Sequence, residues 1–496
     1  MTSVRYPQVP PADKSQVKKM DNLLRWTQRS NTWTIKEKSP GTEDRIYLSE
    51  IISALSFALD LTEGAVPGHA LRCCLLGMRM AREIGLGAEE MCELYYALLL
   101  KDVGCSSNAA RLCEIIGGDD RAVKSGVKLE DWTQTRKPRL STLRLLWENV
   151  LPGSHFAERV ARVGKIALSQ RQNSHELISI RCDRGAEIIR KLGLPEPVAQ
   201  AVRSLDEHWD GCGYPDGSRG EHIPLLSRIL AVAQHLDVFA GEVGPEQAIT
   251  TLQHRSGRWF DPELVRIATS LDAEHRLWSY CMPDDDRELT RQLVLLLDPG
   301  EKLSLPSDQI DRICEVFADV VDAKSPFTYR HSIGVADAAL AIAHTLGLAP
   351  ERVNFVHRAA LLHDLGKLRV PNSILDKPGR LTLAERLIIE EHPALTQSIL
   401  ERVAAFRELA VIAAQHHERL DGSGYPNCLT ASQLSLEARI IAVADVYGAL
   451  SEERPYRRGL PLEQIVTIMS SDLPNRLDPE CFKALQLALT QGRVSA

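Results

Sequence analysis

The residues of this chain best suited to chemistry are the adjacent pair His363 and Asp364. An imidazole nitrogen and a carboxylate oxygen can ligate one metal, and the second carboxylate oxygen can bridge to another. Lys367 follows Asp364 by three residues, so on a helix its ammonium lies on the same face, where it suits a phosphate oxygen or a leaving group. Taken alone, this pentapeptide also fits a polar pair at a helix end.

Five histidines and two aspartates fall on five separate predicted segments of the C-terminal half. They are His331, His363, Asp364, His392, His416, His417 and Asp445. Such mixed ligands suit iron, manganese or zinc. They are too many for one tetrahedral zinc, but enough for two metals sharing a carboxylate, which suits phosphate-ester hydrolysis. Asp445 alone could be a satisfied core carboxylate, and isolated histidines such as His344 and His357 are interpreted as ordinary surface or core residues.

Two parts of the chain carry the same pattern, which indicates an internal repeat. His69 precedes Asp102 by 33 positions, as His331 precedes Asp364. The later repeated pairs are 210–215 with 421–426, 228–233 with 439–444, and 260–262 with 477–479. The sequence therefore predicts two related domains of unequal length.

The helical spacing of apolar residues, from Tyr47 onward, dominates the chain, and alternating strand patterns are scarce, which predicts an all-α fold of two tandem domains. The offset between the copies falls from 262 to 211 positions, so the first copy holds about 51 additional residues between Cys105 and Arg181. We expect a polar tail over 1–45, a first domain over 46–275, a linker helix and turn over 276–304, and a second domain over 305–496.

The composition is ordinary for a globular chain of 496 residues, with a net charge of −7. That charge gives no general affinity for nucleic-acid polymers, so an anionic substrate must be held by local cations and metal. No run reaches the length of a membrane span, the N-terminus does not resemble a signal peptide, and no membrane partner is expected. Eleven scattered cysteines without a CxxC pair indicate reduced thiols and a cytoplasmic location.

The second copy resembles the HD-GYP family of metal-dependent phosphodiesterases over essentially all of 305–490. The resemblance rests on the seven residues above, on Lys367, on the loop Asp421-Gly422-Ser423-Gly424-Tyr425-Pro426 and on the segment 446–457. It implies an HD-type helical fold, two divalent transition metals (iron or manganese) and hydrolysis of cyclic di-GMP to pGpG or GMP in bacterial signal transduction. A second copy of the chain or a diguanylate cyclase is a candidate protein partner.

The resemblance also implies a role for each matching residue. His331, His363, Asp364 and Asp445 would hold one metal, and Asp364 would bridge to a second held by His392, His416 and His417. Lys367 would contact the scissile phosphate, and Gly424, Tyr425 and Pro426 would shape the loop beside the site. Arg454 and Arg457 are candidates for contacts to substrate phosphate or guanine, although exposed arginines at a helix end are the commoner interpretation.

Two positions depart from the family pattern. Some members carry a glutamate four residues before the first histidine, which serves a third metal, and here that position is Phe327. We therefore expect two metals, with Asp322 as the alternative carboxylate for a third. The residue four after His392 is commonly glycine and here is Thr396, a change that affects only local helix packing.

The first copy keeps only two of the seven ligand types, His69 and Asp102. The other five positions hold Lys101, Arg181, Leu205, Asp206 and Gln234, and Cys105 replaces Lys367. A protonated lysine cannot coordinate a metal and repels the cation. We predict a degenerate HD domain that keeps the fold, binds no metal and has a regulatory or structural role.

The favoured function is a cytoplasmic cyclic-dinucleotide phosphodiesterase. One alternative is a phosphohydrolase that acts on another cyclic nucleotide. The other is a non-catalytic receptor or docking protein that binds the nucleotide or a cyclase. The complete ligand set argues against the second alternative, because a receptor has no need of seven ligands and Lys367.

Overall fold

The computed structural model describes residues 46–121, 123–124, 140–151, 154–282, 285–300, 305–328, 330–452 and 458–493. Within these segments the secondary structure is helical, with two isolated β-bridges and no strand. The all-α prediction is confirmed. Among the same residues, no helix combines the length and the apolar character needed to cross a bilayer.

The helices of the N-terminal half begin at Leu48, one residue after the predicted start. They are α1 (Leu48–Thr62), α2 (His69–Ile84), α3 (Ala88–Leu100), α4 (Ala109–Ile116), α5 (Leu140–Asn149), α6 (Phe156–Leu168), α7 (Gln170–Lys191), α8 (Glu196–Arg203), α9 (Leu225–Val243), α10 (Pro245–His254), α11 (Pro262–Ala273) and α12 (Arg287–Leu297).

The C-terminal half continues with ten further α-helices in the described residues. They are α13 (Ser307–Asp322), α14 (His331–Thr345), α15 (Pro350–Leu362), α16 (Asn372–Leu375), α17 (Leu383–Glu390), α18 (His392–Leu400), α19 (Arg407–Ala413), α20 (Leu436–Ser451), α21 (Leu462–Ser471) and α22 (Pro479–Thr490). A short 3₁₀ helix, Leu365–Arg369, lies between α15 and α16.

Helix packing repeats in the two halves. In the first half α2 packs against α3, α9 and α11, and in the second α14 packs against the equivalent α15, α20 and α22. The sequence repeat therefore corresponds to a repeated arrangement around one buried central helix. The domain boundaries proposed from the sequence stay a prediction.

In both halves an aspartate accepts hydrogen bonds from the N-terminus of the central helix. Asp60 accepts hydrogen bonds from the backbone of Gly68 and Ala70 before and within the first turn of α2. Asp322 likewise accepts from the backbone N–H and the hydroxyl of Ser332, in the first turn of α14. These bonds satisfy amides that a helix N-terminus leaves without an intrahelical partner, and they place His69 and His331 at the helix starts.

The two halves pack on each other in a reciprocal way. Helix α1, the first of the N-terminal half, packs on the 3₁₀ helix Leu365–Arg369 and on α18 of the other half. Helix α13, the first of the C-terminal half, packs on α7, where Lys191 Nζ lies 2.8 Å from Asp319 Oδ2. Helix α12, which we assigned to a linker, packs on α1 and α2.

The additional residues of the first half form helices α4, α5 and α6. Their apolar side chains pack into a cluster of their own, which consists of Leu112, Ile116, Val123, Val150 and Ile166. This insert is thus a small packed unit beside the repeated helices, with Asp120 and Arg121 in a short helical stretch between α4 and α5.

Candidate metal centre

Asp364 lies at the centre of the histidine cluster, and its two oxygens face different histidines. Oδ2 lies 3.6 Å from His331 Nε2 and 3.2 Å from His363 Nε2. Oδ1 lies 3.3 Å from His392 Nε2 and 3.7 Å from His416 Nε2. One carboxylate therefore separates two sets of imidazoles, as a carboxylate that bridges two metals must do.

Asp445 reaches the cluster from the middle of helix α20. Its Oδ1 lies 3.4 Å from His331 Nε2, and its Oδ2 lies 3.5 Å from His417 Nδ1. His417 is also close enough to His392 and His416 for all three to bind one ion. The structure thus brings together all seven residues that the sequence singled out.

Backbone carbonyls orient three of the imidazoles. Nδ1 of His363 lies 2.6 Å from the carbonyl of Ala360, and His392 and His416 make the same contact with the carbonyl three residues earlier, at 2.6 and 2.7 Å. A carbonyl only accepts, so each Nδ1 carries the proton and each Nε2 presents a lone pair to the cluster. This second contact is typical of metal-binding histidines.

His331 is oriented by a residue that we did not predict. Its Nδ1 lies 2.8 Å from Glu452 Oε2, one residue beyond the end of α20. Burial opposes protonation of the His331 ring, but Asp445, Glu452 and Asp364 outweigh it and raise its pKa to about 9. Glu452 lies in the segment 446–457 that resembled the family, yet no local pattern marks it as a partner of His331, 121 positions away.

Lys367 contacts Asp364, but not on the helix that we expected. Helix α15 ends at Leu362, and Lys367 lies in the 3₁₀ helix, where residues three apart are aligned. Its Nζ lies 2.5 Å from Asp364 Oδ2. Burial opposes ionisation of Asp364, but His363 and Lys367 are among the groups that outweigh it and hold its pKa well below the usual range.

The turn after Asp364 is held against helix α18. A Cβ at Gly366 would lie 2.1 Å from the carbonyl oxygen of His392, so only glycine fits there. Thr396 accepts a hydrogen bond from the Gly366 N–H and donates one to the His363 carbonyl. We expected Thr396 to affect only helix packing, but this expectation is too narrow. Its hydroxyl also contacts the backbone on both sides of Asp364.

The Gly-Tyr-Pro loop borders the accessible side of the cluster. The ring of Tyr425 lies 4.8 Å from that of His417, and a Cβ at Gly424 would meet the His417 carbonyl at 2.6 Å. Pro426 follows them in the same loop, and Glu418 accepts hydrogen bonds from the backbone of Asn427 and Leu429. Glu418 was missed, although Glu207 holds the equivalent place 211 positions earlier.

Exposure indicates where a substrate can enter. The side chains of His417 and Lys367 keep 25% and 14% of their surface exposed, whereas those of His331, His363, His392 and His416 keep at most 1%. The accessible side of the cluster is therefore the side beside Lys367 and Tyr425.

Within the described residues, the other positions that the sequence analysis considered do not join the cluster. Phe327 is half-buried and Asp322 is engaged with Ser332, where burial raises its pKa to about 7. His344 is exposed on α14. Arg454 and Arg457 lie outside the described residues.

The first half fills the equivalent space with ion pairs. Lys101, at the position of His363, contacts Asp102, and Arg181, at the position of His392, contacts Asp206. Asp237, one turn after Gln234, lies 2.6 Å from His69 and 2.5 Å from Arg72. Cations of the protein thus take the place of histidines and metal charge.

Two trios among the described residues of this half have the spacing of metal ligands. They are Glu63 with Asp102 and Cys105, and His69 with Cys73 and Asp237. We do not regard them as metal sites, because Asp102 and Asp237 already face Lys101 and Arg72. The absence of metal in this half stays a prediction.

The donor atoms of the second half fit two metals. Among the residues that the structure describes, His331 Nε2, His363 Nε2 and Asp364 Oδ1 are buried and have no hydrogen-bond partner. Nε2 of His392 faces Nε2 of His416 at 3.1 Å, although both rings already donate from Nδ1. Burial lowers the pKa of both rings, so two lone pairs face each other, an arrangement that a cation between them would stabilise.

The chain matches a known protein family in two spans, one in each half. A family model described as "HD domain" matches residues 162–264 and 315–481. The second span contains all seven clustered residues, and the first contains Arg181 and Gln234.

Several bacterial proteins are similar to this chain. The 3′3′-cGAMP-specific phosphodiesterase 3 of Vibrio cholerae serotype O1 is 42% identical over 443 residues, which are 89% of this chain and 94% of the relative. The cyclic di-GMP phosphodiesterase response regulator RpfG of Xanthomonas campestris pv. campestris is 40% identical over 29% of this chain and 39% of its own length. A crystal structure described as a cyclic GMP-AMP-specific phosphodiesterase of V. cholerae, V-cGAP3, matches with a TM-score of 0.61 and 38% identity, over 90% of this chain and 98% of that one.

Proposed function

The chain belongs to the HD domain family, as a cyclic-dinucleotide phosphodiesterase of the HD-GYP type, and from this premise we propose that it hydrolyses 3′3′-cyclic GMP-AMP at a binuclear metal centre. The observation that carries the proposal is the division of Asp364, with one oxygen toward His331 and His363 and the other toward His392 and His416. A non-catalytic nucleotide receptor would have no use for that arrangement.

We assign His331, His363, Asp364 and Asp445 to one metal, and Asp364 with His392, His416 and His417 to the other. Two divalent metals, iron or manganese in our proposal, would supply a nucleophilic water at neutral pH and charge stabilisation for the phosphoryl group. Asp445 would hold its metal together with His331, which faces Oδ1, while its Oδ2 faces His417.

The residues of the chain have separate roles in the reaction. Water adds to the phosphorus of one phosphodiester, the bond from phosphorus to the 3′ oxygen breaks, and a linear dinucleotide with a 5′ phosphate leaves. Lys367, which keeps part of its ammonium exposed, neutralises a phosphate oxygen as negative charge develops. Tyr425 and its neighbours in the Gly-Tyr-Pro loop form the wall beside the phosphate.

The share of the chain that each relative matches favours cyclic GMP-AMP over cyclic di-GMP as the substrate. A relative that matches 89% of the chain is described as 3′3′-cGAMP-specific, whereas RpfG matches less than a third of the chain. The 40% identity of that shorter match keeps cyclic di-GMP as the second candidate substrate.

Turnover by the purified full-length chain tests the proposal. The chain is loaded anaerobically with iron or manganese and given 3′3′-cyclic GMP-AMP, cyclic di-GMP or cyclic di-AMP. We expect the highest kcat/KM for cyclic GMP-AMP, with a linear dinucleotide as the first product. A higher value for cyclic di-GMP would overturn the substrate assignment, and hydrolysis of none of the three would overturn the function.

A further inference from the structure

The insert of the first half contacts the catalytic half at residues that follow Lys367 along the chain. The chain leaves the 3₁₀ helix at Arg369 and enters α16 at Asn372. Arg121 Nη1 donates a hydrogen bond of 2.6 Å to the Arg369 carbonyl, and the Asn372 N–H donates one of 3.2 Å to Asp120 Oδ1. Two consecutive residues of the insert thus contact both ends of the four-residue segment 369–372.

The contact of Asp120 with Asn372 is buried, and charged groups surround it. Asp120 and Lys324 are both fully buried, and no hydrogen-bond partner reaches Lys324 Nζ among the described residues. Asp120 is the anion with the largest effect on Lys324, and its Oδ2 lies 3.7 Å from Lys124 Nζ. Asp120 therefore serves as an acceptor for the catalytic half and as a counter-charge for buried cations.

The same region also contacts the turn that follows α13. The side-chain amide of Asn372 donates to the Lys324 carbonyl at 2.6 Å and to Asp376 Oδ2 at 2.9 Å. Ser325 in turn donates to Asp376 Oδ1 at 2.5 Å. Helix α1 also packs on the 3₁₀ helix. Together, these contacts hold the segment after Lys367 in place.

We propose that Asp120 and Arg121 of the insert are positioning residues for Lys367, because they fix the segment 369–372 and so hold the ammonium beside Asp364. The inference rests on the proposed function and extends it by giving the insert a part in catalysis. An ångström of misplacement of a reacting group can cost about a hundredfold in rate. An unpaired buried amide at Asn372 would favour such a shift.

Kinetics of four variants test the positioning. Asp120→Ala and Arg121→Ala should lower kcat about tenfold or more on 3′3′-cyclic GMP-AMP and on bis(p-nitrophenyl) phosphate. KM and metal content should stay close to wild type. Asp120→Asn, which keeps an acceptor for Asn372, should recover part of the loss. Lys191→Ala, which breaks the exposed contact with Asp319 between the same two halves, should leave kcat unchanged.

A double-mutant cycle separates positioning from general damage. If Asp120 acts through Lys367, the variant Asp120→Ala/Lys367→Ala should be no slower than Lys367→Ala. Rate losses that multiply would overturn the inference.

Amide hydrogen exchange in the full chain supplies a readout that needs no substrate. Amides of 368–376 should exchange faster in Asp120→Ala and in Arg121→Ala than in wild type or Lys191→Ala. Wild-type exchange rates in both variants would overturn the inference even if both stay active. If the wild type is inactive but amides of 368–376 exchange faster in the two variants, the result would count against the proposed function. It would still support the conclusion that Asp120 and Arg121 fix the segment 369–372.

Discussion

Glu452 places a carboxylate oxygen 2.8 Å from Nδ1 of His331 and thereby directs Nε2 of that ring toward Asp364 and Asp445. This contact joins the residue after the last turn of α20 to the first residue of α14. It fixes the one histidine of the buried set whose Nδ1 does not face a backbone carbonyl in the described structure.

Removal of Glu452 should weaken metal binding. In Glu452→Ala the ring of His331 loses its orienting acceptor, and affinity at that side of the cluster should fall about 10–100-fold. Titration with a competing chelator, followed by elemental analysis, measures the change. Glu452→Gln should retain part of the affinity, and Glu463→Ala, an exposed glutamate on α21, should retain all of it. Unchanged affinity in Glu452→Ala would contradict the role.

Asp364→Ala and Lys367→Ala should both stop or slow hydrolysis, but for different reasons. Loss of Asp364 removes the shared anion and should abolish turnover together with metal retention. Loss of Lys367 should keep the metal and lower kcat at least about a hundredfold, by analogy with the loss of one donor to developing charge. Parallel assays of turnover and metal content distinguish the two. Near-normal turnover in Asp364→Ala would refute the binuclear assignment.

The full chain should hold about two metals, all in the C-terminal half. His331→Ala should lower the count, whereas His69→Ala, at the equivalent position of the first half, should leave it at about two. The physical reason is that Lys101 and Arg181 repel a cation where His363 and His392 attract one. Elemental analysis of dialysed, folded protein gives the counts. A fall in His69→Ala, or a reproducible count near three, would contradict the prediction.

Lys324 should make stability depend on pH above neutrality. Burial lowers the pKa of Lys324 from 10.5 to about 8. Asp120 and Asp119 oppose this change by attraction, whereas the like charges of Lys124 and Arg121 add to it. Below pH 8 both states carry the charge and the folded state is penalised by roughly 3 kcal/mol. Between pH 8 and 10.5 only the unfolded chain binds the proton, so stability rises with pH.

The variant Lys324→Met removes this proton. The difference in free energy of unfolding between Lys324→Met and wild type, measured by urea denaturation, should therefore shift in favour of wild type as pH rises from 8 to 10.5. Lys191→Met, at an exposed lysine, serves as the control and should show no such shift. Stability curves of Lys324→Met and wild type that stay parallel over this range would contradict the pKa of Lys324.

The sequence by itself determined the class of fold, the repeat and the types of the clustered residues. Helical periodicity is a local property, so the start of α1 could be predicted within a residue. The substitutions Lys101 and Arg181 were likewise legible, because the constant offsets between the copies align each with a histidine.

Only the tertiary structure decided which atoms meet. The division of Asp364 between two sets of imidazoles, the contact of Glu452 with His331 and the contact of Asp120 with Asn372 join positions that are distant along the chain. Local spacing carries no information on such pairs. Packing of α14 on α15 and α20, and of α18 on the 3₁₀ helix, brings the first two sets of residues together, and packing of α4 on α16 brings the insert to Asn372, because the buried faces of these helices have to be covered by another element.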